Sequence, residues 1–191
     1  MKKITLILSI LLLGNTFAQN EVTVETSQAW NAYVNAFNVS DGAYAFGFGY
    51  TVADNRATAT ATSVTLEPNI AIWTAEANNT AWFDNSSGSQ VPVKTIEALT
   101  YVEDGSLTSD ALTFSGNVSS YDLSSNYNVI AFIKVLDAGY GQLTIESVDL
   151  TATGDFSVSV TAAETAAGAI VQYGFAMYGV PADPADTTLG S

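Results

Sequence analysis

Apolar and polar residues alternate with a period of two through most of this chain, and helical periodicity is almost absent. Strands are therefore expected over residues 30–39, 44–52, 58–66, 70–74, 93–101, 111–118, 129–137, 143–150, 156–160 and 169–180. Turn-forming clusters separate them, among them Ser40-Asp41-Gly42, Ala53-Asp54-Asn55, Asn85-Ser86-Ser87-Gly88, Glu103-Asp104-Gly105 and Asp137-Ala138-Gly139. Short strands punctuated this regularly predict an all-β fold, a two-sheet antiparallel β-sandwich of the jelly-roll kind. One short helix is expected at 161–164, where Thr161 and Glu164 have capping-box spacing and Gly168 can end the turn. The alternating Thr and Ala after Arg56 fit an edge or half-exposed strand.

The same alternation sorts the faces of each strand. Tyr44, Phe46, Phe48, Tyr50 and Val52 share one face, which reads as core, while Ala45, Gly47, Gly49 and Thr51 share the other. Glycine inside a strand often marks close approach by another chain segment or a ligand, so the second face is expected to floor a groove. In the first strand Trp30, Ala32, Val34 and Ala36 face one way and Asn31, Tyr33, Asn35 and Phe37 the other. Amides beside an aromatic ring suit sugar hydroxyls and a pyranose C–H face; an ordinary exposed strand face has the same pattern. Lys134 falls on one face with Ile130, Phe132 and Leu136, where its charge must be paired, snorkel or face a groove. In the last strand Gln172 and Tyr178 oppose Val171, Tyr173, Phe175 and Met177. Tyr33, Asn35, Lys134 and Gln172 are thus candidate polar contacts.

Two tryptophans stand close to loop segments. Trp73 leads into Glu76-Ala77-Asn78-Asn79, and Trp82-Phe83-Asp84 sits between that stretch and the turn at Asn85. Trp beside Asp and Asn in a loop matches a stacking platform with hydrogen-bonding neighbours. The competing reading is a ring folded inward as a plug on the sandwich.

Composition narrows the chemistry. Lys2 and Lys3 precede an apolar run from Ile4 to Leu13, and Thr16-Phe17-Ala18 suits a signal peptidase, so residues 1–18 read as a secretory signal. That run is about half the roughly twenty residues a membrane-spanning helix needs. The chain has no Cys, hence no lipoprotein anchor and no disulfide, and a secreted or cell-surface location is expected. Residues 19–180 then form one β-sandwich domain, and 181–191 read as a linker or the start of a further segment. Removing Lys2 and Lys3 from the formal charge of −14 leaves −16. Such a surface disfavours nucleic acid, anionic membranes and polyanionic polysaccharides, so a neutral ligand is favoured.

With no His or Cys, no zinc site can be assembled, and the usual general bases and nucleophiles are scarce. Nineteen acids make some carboxylate pair inevitable by chance, which gives a glycosidase little specific support. Calcium stays open, with Glu103-Asp104-Gly105, Asp137 and Asp155 as candidate oxygen donors that lack EF-hand spacing; solvated turns explain them equally well.

Three stretches carry a resemblance: Tyr127-Asn-Val-Ile-Ala-Phe-Ile-Lys-Val-Leu-Asp137, Phe156-Ser-Val-Ser-Val160, and the run from Ile170 through Met177 to Pro184. They resemble the closing strands of jelly-roll carbohydrate-binding modules. The opening Trp30-Asn-Ala-Tyr-Val-Asn-Ala-Phe37 is similar to exported glycan-utilisation domains of marine bacteria. The resemblance implies a non-catalytic module that holds a neutral polysaccharide, a β-glucan such as laminarin, by aromatic stacking, often with a structural calcium. On that reading Trp82 and Trp73 stack on the sugar while Tyr33, Asn35, Lys134 and Gln172 supply polar contacts. An adhesion or spacer module of a larger surface protein, or a small glycoside hydrolase, is the alternative.

Overall fold

The computed structural model describes residues 19–25, 28–166 and 168–190. The expected export signal, 1–18, lies outside the described residues. Along the chain run β1 (Gln19–Val22), β2 (Trp30–Asn38), β3 (Tyr44–Tyr50), β4 (Ala57–Ala59), β5 (Val64–Leu66), α1 (Ala71–Ala75), β6 (Phe83–Asp84), β7 (Val91–Pro92), β8 (Lys94–Glu103), β9 (Ala111–Val118), β10 (Asn128–Leu136), β11 (Gln142–Leu150), β12 (Gly154–Val160) and β13 (Ile170–Gly179). Six of these form one antiparallel sheet in the order β11-β10-β13-β8-β2-β3. A second sheet, β1-β9-β12, pairs β12 antiparallel and β1 parallel to β9. The chain crosses between them from β8 to β9, back to β10, again from β11 to β12, and back to β13. That wrapping is the jelly-roll habit carried out on sheets of unequal width. The protein is an all-β, two-sheet sandwich.

Burial explains the layering. The inner face of the large sheet presents Val129, Ala131 and Ile133 from β10, Val171, Tyr173, Phe175 and Met177 from β13, and Val102 from β8. Leu112 and Phe114 from β9 and Val158 and Val160 from β12 meet them from the small sheet. The small sheet is too narrow to cover β2, β3 and the start of β8. There the cover is α1 with the β6–β7 hairpin, which bury Ile72, Trp82 and Phe83 against Val34, Ala36, Ile96 and Ala98. Phe46, Phe48 and Tyr50 pack against this second cluster, as the alternation of β3 requires, whereas Tyr44, expected in the same stripe, is 59% exposed because a bulge after Ala36 sets it opposite Phe37. Gly174 sits where β13 passes closest to β8: a Cβ there would collide with the Thr100 carbonyl oxygen and come within 2.7 Å of Tyr101 Cα. Only glycine lets the two central strands pair at this point.

Four expectations are corrected. Residues 70–74 are not a strand but lead into α1, because Asn69 Oδ1 accepts the Ile72 N–H at 3.0 Å and starts a helical turn that buries Ile72. At 161–164 the helix is reduced to a single turn. Its expected cap forms, with the Thr161 N–H and hydroxyl both donating to Glu164 Oε2 at 2.7 and 2.8 Å. The Thr165 hydroxyl then ties the turn to Asp110 O, and the chain leaves for β13. Residues 58–66 form two short strands, since Thr60 and Ser63 close a turn through their side chains. Finally, the 181–190 stretch expected as a linker lies against the body: Ala182 is buried, its N–H donates to Asn69 O at 2.8 Å, and Leu189 packs on the main core.

Tyr173 makes the core sensitive to alkali. It is 2% exposed and its hydroxyl accepts a bond from Gln28 Nε2 at 2.9 Å. Burial, with the nearby charges of Asp104 and Glu25, pushes its pKa up to about 12. Between about pH 10 and pH 12 the unfolded chain releases this proton while the folded chain keeps it, so stability present below pH 10 falls as pH rises. The loss attributable to Tyr173 is at most about 3 kcal/mol. Urea denaturation across this range will show the decline, and Tyr173→Phe will make it shallower.

Candidate functional site

Every second residue of the large sheet points to the face opposite the core, and the register assembles them into rows. One row reads Ile145, Lys134, Gln172, Glu103 across β11, β10, β13 and β8. The next reads Ser147, Phe132, Gly174, Tyr101, Asn31, and the third Asp149, Ile130, Ala176, Leu99, Tyr33, Gly49. A fourth reads Asn128, Tyr178, Glu97, Asn35, Gly47. The small sheet, α1 and the hairpins all pack on the other side, so no described element layers over these rows.

Leu99, Ile130, Phe132 and Ala176 are nevertheless buried, Phe132 to 0% exposure. Their cover comes from within the face itself: Tyr33, Tyr101 and Tyr178 pack half-buried against them. Lys134 Nζ lies 5.4 Å from the Phe132 ring centroid. Of the arrangements open to Lys134, its ammonium takes a place over an aromatic ring.

Glycine does its work on β3. A Cβ at Gly47 would lie 2.8 Å from both the Tyr33 ring and Asn35 Oδ1, whereas one at Gly49 would meet nothing within 4 Å. The anticipated close approach is therefore made by the Tyr33 ring, which extends the platform toward the sheet edge, with open space beside it.

The polar groups of the face are held in two bonded sets. Glu97, 8% exposed, accepts from Asn35 Nδ2 and from the Tyr178 hydroxyl, both at 2.6 Å. Glu103 accepts from Gln172 Nε2 at 2.8 Å and from the Tyr140 hydroxyl at 3.3 Å. A buried carboxylate with neutral donors is stable only while those donors stay protonated. Burial and the Glu97 hydrogen bond and charge push the Tyr178 hydroxyl well above the usual phenol range. Burial, then the charge of Glu103 and the hydroxyls of Tyr140 and Tyr33, raises Tyr101 as well. Tyr178 and Tyr101 thus remain hydrogen-bond donors throughout the physiological range. At the Tyr178 end the face runs into a groove of about 320 Å³ lined by Phe37, Thr95, Asn128 and Tyr178.

Of the six residues singled out from sequence, Tyr33, Asn35, Lys134 and Gln172 stand on this one face. Trp82 and Trp73 do not. Trp82 is 4% exposed, wedged edge-on between Phe46 and Phe48 at 5.2 and 6.1 Å between ring centroids. Trp73 lies half-buried on α1 with its ring 5.3 Å from Phe83. Both belong to the cover over the inner side of β2 and β3, so Trp82 has no free ring face and is a core residue. Sequence reasoning missed Glu97 and Tyr101, and named Glu103 only as a turn residue and calcium candidate. The signal for the first two was present in the alternation Thr95, Glu97, Leu99, Tyr101 along a strand read only as a strand.

The carboxylates of the face stand far apart. Glu97 and Glu103 are six residues apart on one strand, about 20 Å at a strand's rise per residue. Asp149 is three strands from Leu99, on the order of 14 Å. Glycosidase pairs stand roughly 5–9.5 Å apart. The calcium candidates are engaged in their own surroundings. Asp104 Oδ1 accepts from Ser106, Asp137 Oδ1 from the Gly139 and Gly141 N–H groups, and Asp155 Oδ1 from Asn117 Nδ2. Among the described residues no three acidic, His or Cys side chains gather.

No protein-family model, curated protein or solved structure matches the chain. Its class rests on the architecture: a two-sheet β-sandwich with one face of its wider sheet covered by no second layer among the described residues.

The two kinds of aromatic environment separate by stability. Trp82→Ala removes a fully packed indole and will cost about 3–5 kcal/mol. Glu97→Ala leaves the Asn35 amide and the Tyr178 hydroxyl without their acceptor and will cost about 1–3 kcal/mol. Glu97→Gln, which keeps an acceptor oxygen, will cost less than Glu97→Ala. Chemical denaturation of the three variants beside the wild type measures all of these.

Proposed function

We propose that the outer face of the six-stranded sheet binds an uncharged polysaccharide without turning it over, a neutral β-glucan such as laminarin being the first candidate. One observation carries this reading: three tyrosines, two amides and two fixed carboxylates converge on a single face with no layer over it. Tyrosine rings offer flat apolar surface to the C–H face of a pyranose, while amide and carboxylate oxygens accept from sugar hydroxyls. Tyr33, Tyr101 and Tyr178 occupy different strands and rows. With strands about 4.8 Å apart, Tyr33 and Tyr178 are on the order of 12 Å from one another, a spacing that favours a chain of sugars over a single one.

Charge supports the same ligand class. Glu97, Glu103 and Asp149 share the face with Lys134 as its cation among these rows, so a polyanion would meet repulsion. The wide separation of these carboxylates supports binding over hydrolysis. The reading replaces the tryptophans with tyrosines as stacking residues and keeps Tyr33, Asn35, Lys134 and Gln172.

Titration of the mature protein with laminarin and with other neutral and acidic polysaccharides, by calorimetry or affinity electrophoresis, tests the proposal. Binding to a neutral glycan is expected, with Tyr33→Ala and Tyr101→Ala each weakening it at least about tenfold, the equivalent of ~1.4 kcal/mol. Unchanged affinity in both folded variants, or preference for acidic polymers, would overturn the assignment. Binding to no polysaccharide would favour the adhesion or spacer module. Release of reducing sugar from the glycan would sink the non-catalytic reading.

A further inference from the structure

The sandwich interior holds a second candidate site, independent of the outer face. Between the two sheets, beside the β4–β5 hairpin, lies a cleft of about 460 Å³. That is roughly fifteen times the ~30 Å³ one water occupies in the liquid. It is open to solvent on one side, so it is an accessible cleft and not a sealed void. It falls in the range of pockets that enclose small organic ligands.

The lining has a direction. At the floor Val129, Leu150, Phe175 and Met177 are buried and apolar. At the mouth Thr62, Ser63, Asn117, Ser119 and Ser120 are exposed and polar. Val64 and Leu66 of the hairpin form one wall. On the opposite wall a Cβ at Gly116 would sit 2.8 Å from the Phe156 ring, so glycine lets that ring lie flat at the side of the cleft.

No Lys, Arg, Asp or Glu lines the space among the described residues. Charges stand behind the lining: Glu21 accepts the Ser115 hydroxyl at 2.9 Å, Asp155 accepts the Asn117 amide at 2.7 Å, and Glu67, next to Leu66, is paired with Arg56 at 2.6 Å. With Arg56 taken up by Glu67 and no cation in the lining, a ligand headed by a carboxylate or sulfonate would find no charged partner there and would meet the negative charge of Glu21 and Asp155. An apolar floor under a hydroxyl and amide mouth instead suits a molecule with an apolar body and a neutral polar end.

We propose that this cleft binds an uncharged amphiphile, its apolar body between the sheets and its hydroxyl- or ester-bearing end among the seryl and threonyl side chains. Nothing in this assignment depends on glycan binding at the outer face, because the two sites lie on opposite sides of the large sheet.

The neutral fluorophore N-phenyl-1-naphthylamine, titrated into the mature protein, probes the cleft directly. Saturable enhancement at one site is expected, reversed by 1-decanol and reversed at least about tenfold less effectively by decanoate. Val64→Trp and Leu66→Trp place bulk on the hairpin wall rather than in the main β-ladder. Each folded variant, checked by circular dichroism, will lose at least about tenfold in probe affinity. Three results would each overturn the proposal: no saturable enhancement, wild-type affinity in a folded wall variant, or equal displacement by decanoate. Should neither variant fold, the probe titration and the decanol–decanoate contrast on the wild type still decide the matter.

Discussion

The large sheet has apolar residues on both faces, and among the described residues a second layer covers only one of them. That constraint organises the rest of the molecule. On the inner face the small sheet, α1 and the β6–β7 hairpin supply the cover. On the outer face Leu99, Ile130, Phe132 and Ala176 must be shielded by side chains of the same face. A ring with a polar tip is the residue type that can do this, since its body covers apolar floor while its hydroxyl stays near water. Tyr33, Tyr101 and Tyr178 meet that requirement, and the Lys134 ammonium sits over the Phe132 ring.

The same requirement explains how the aromatic residues are divided. Trp82 and Phe83 have large apolar bodies and go under the cover of the inner face, where Phe46 and Phe48 surround the indole. Tyr33, Tyr101 and Tyr178 go to the outer face, where Glu97 gives the Tyr178 hydroxyl a partner and Glu103 gives one to Tyr140. A buried carboxylate among apolar neighbours is costly alone, and Glu97 is tolerated because Asn35 and Tyr178 donate to it. The arrangement that covers the sheet therefore also fixes the polar groups of the outer face.

Much of this was legible as alternation. Period two places Trp30, Ala32, Val34 and Ala36 inward and Tyr33 and Asn35 outward, and the structure agrees residue by residue. It does so because a strand in a one-side-covered sheet has no other way to satisfy burial. Trp82 was misread because its neighbours Asp84 and Asn85 are polar. Local composition reports a turn but not whether the turn folds inward. The 70–74 segment was misread because β-branched and aromatic residues suit a strand, yet no ladder partner was available and the Asn69 side chain offered a helical start instead. Glu97 escaped notice for a different reason: a lone acid in an apolar strand carries no local mark of the amide and hydroxyl that satisfy it from two other strands.

Register ties the two candidate sites together. Along β13, Phe175 and Met177 face the cleft between the sheets, while Gln172, Ala176 and Tyr178 face the outer rows. Along β10, Val129 floors the cleft and Ile130 floors the tyrosine platform. Slipping either strand by one residue would exchange these sets, burying Gln172 and Lys134 in the sandwich and exposing Phe175 and Val129. Gly174 resists such a slip, because only at that position can β13 approach Thr100 without a Cβ in the way. The outer platform and the inner cleft are thus two readings of one strand register, and the close approach at Gly174 helps to fix both.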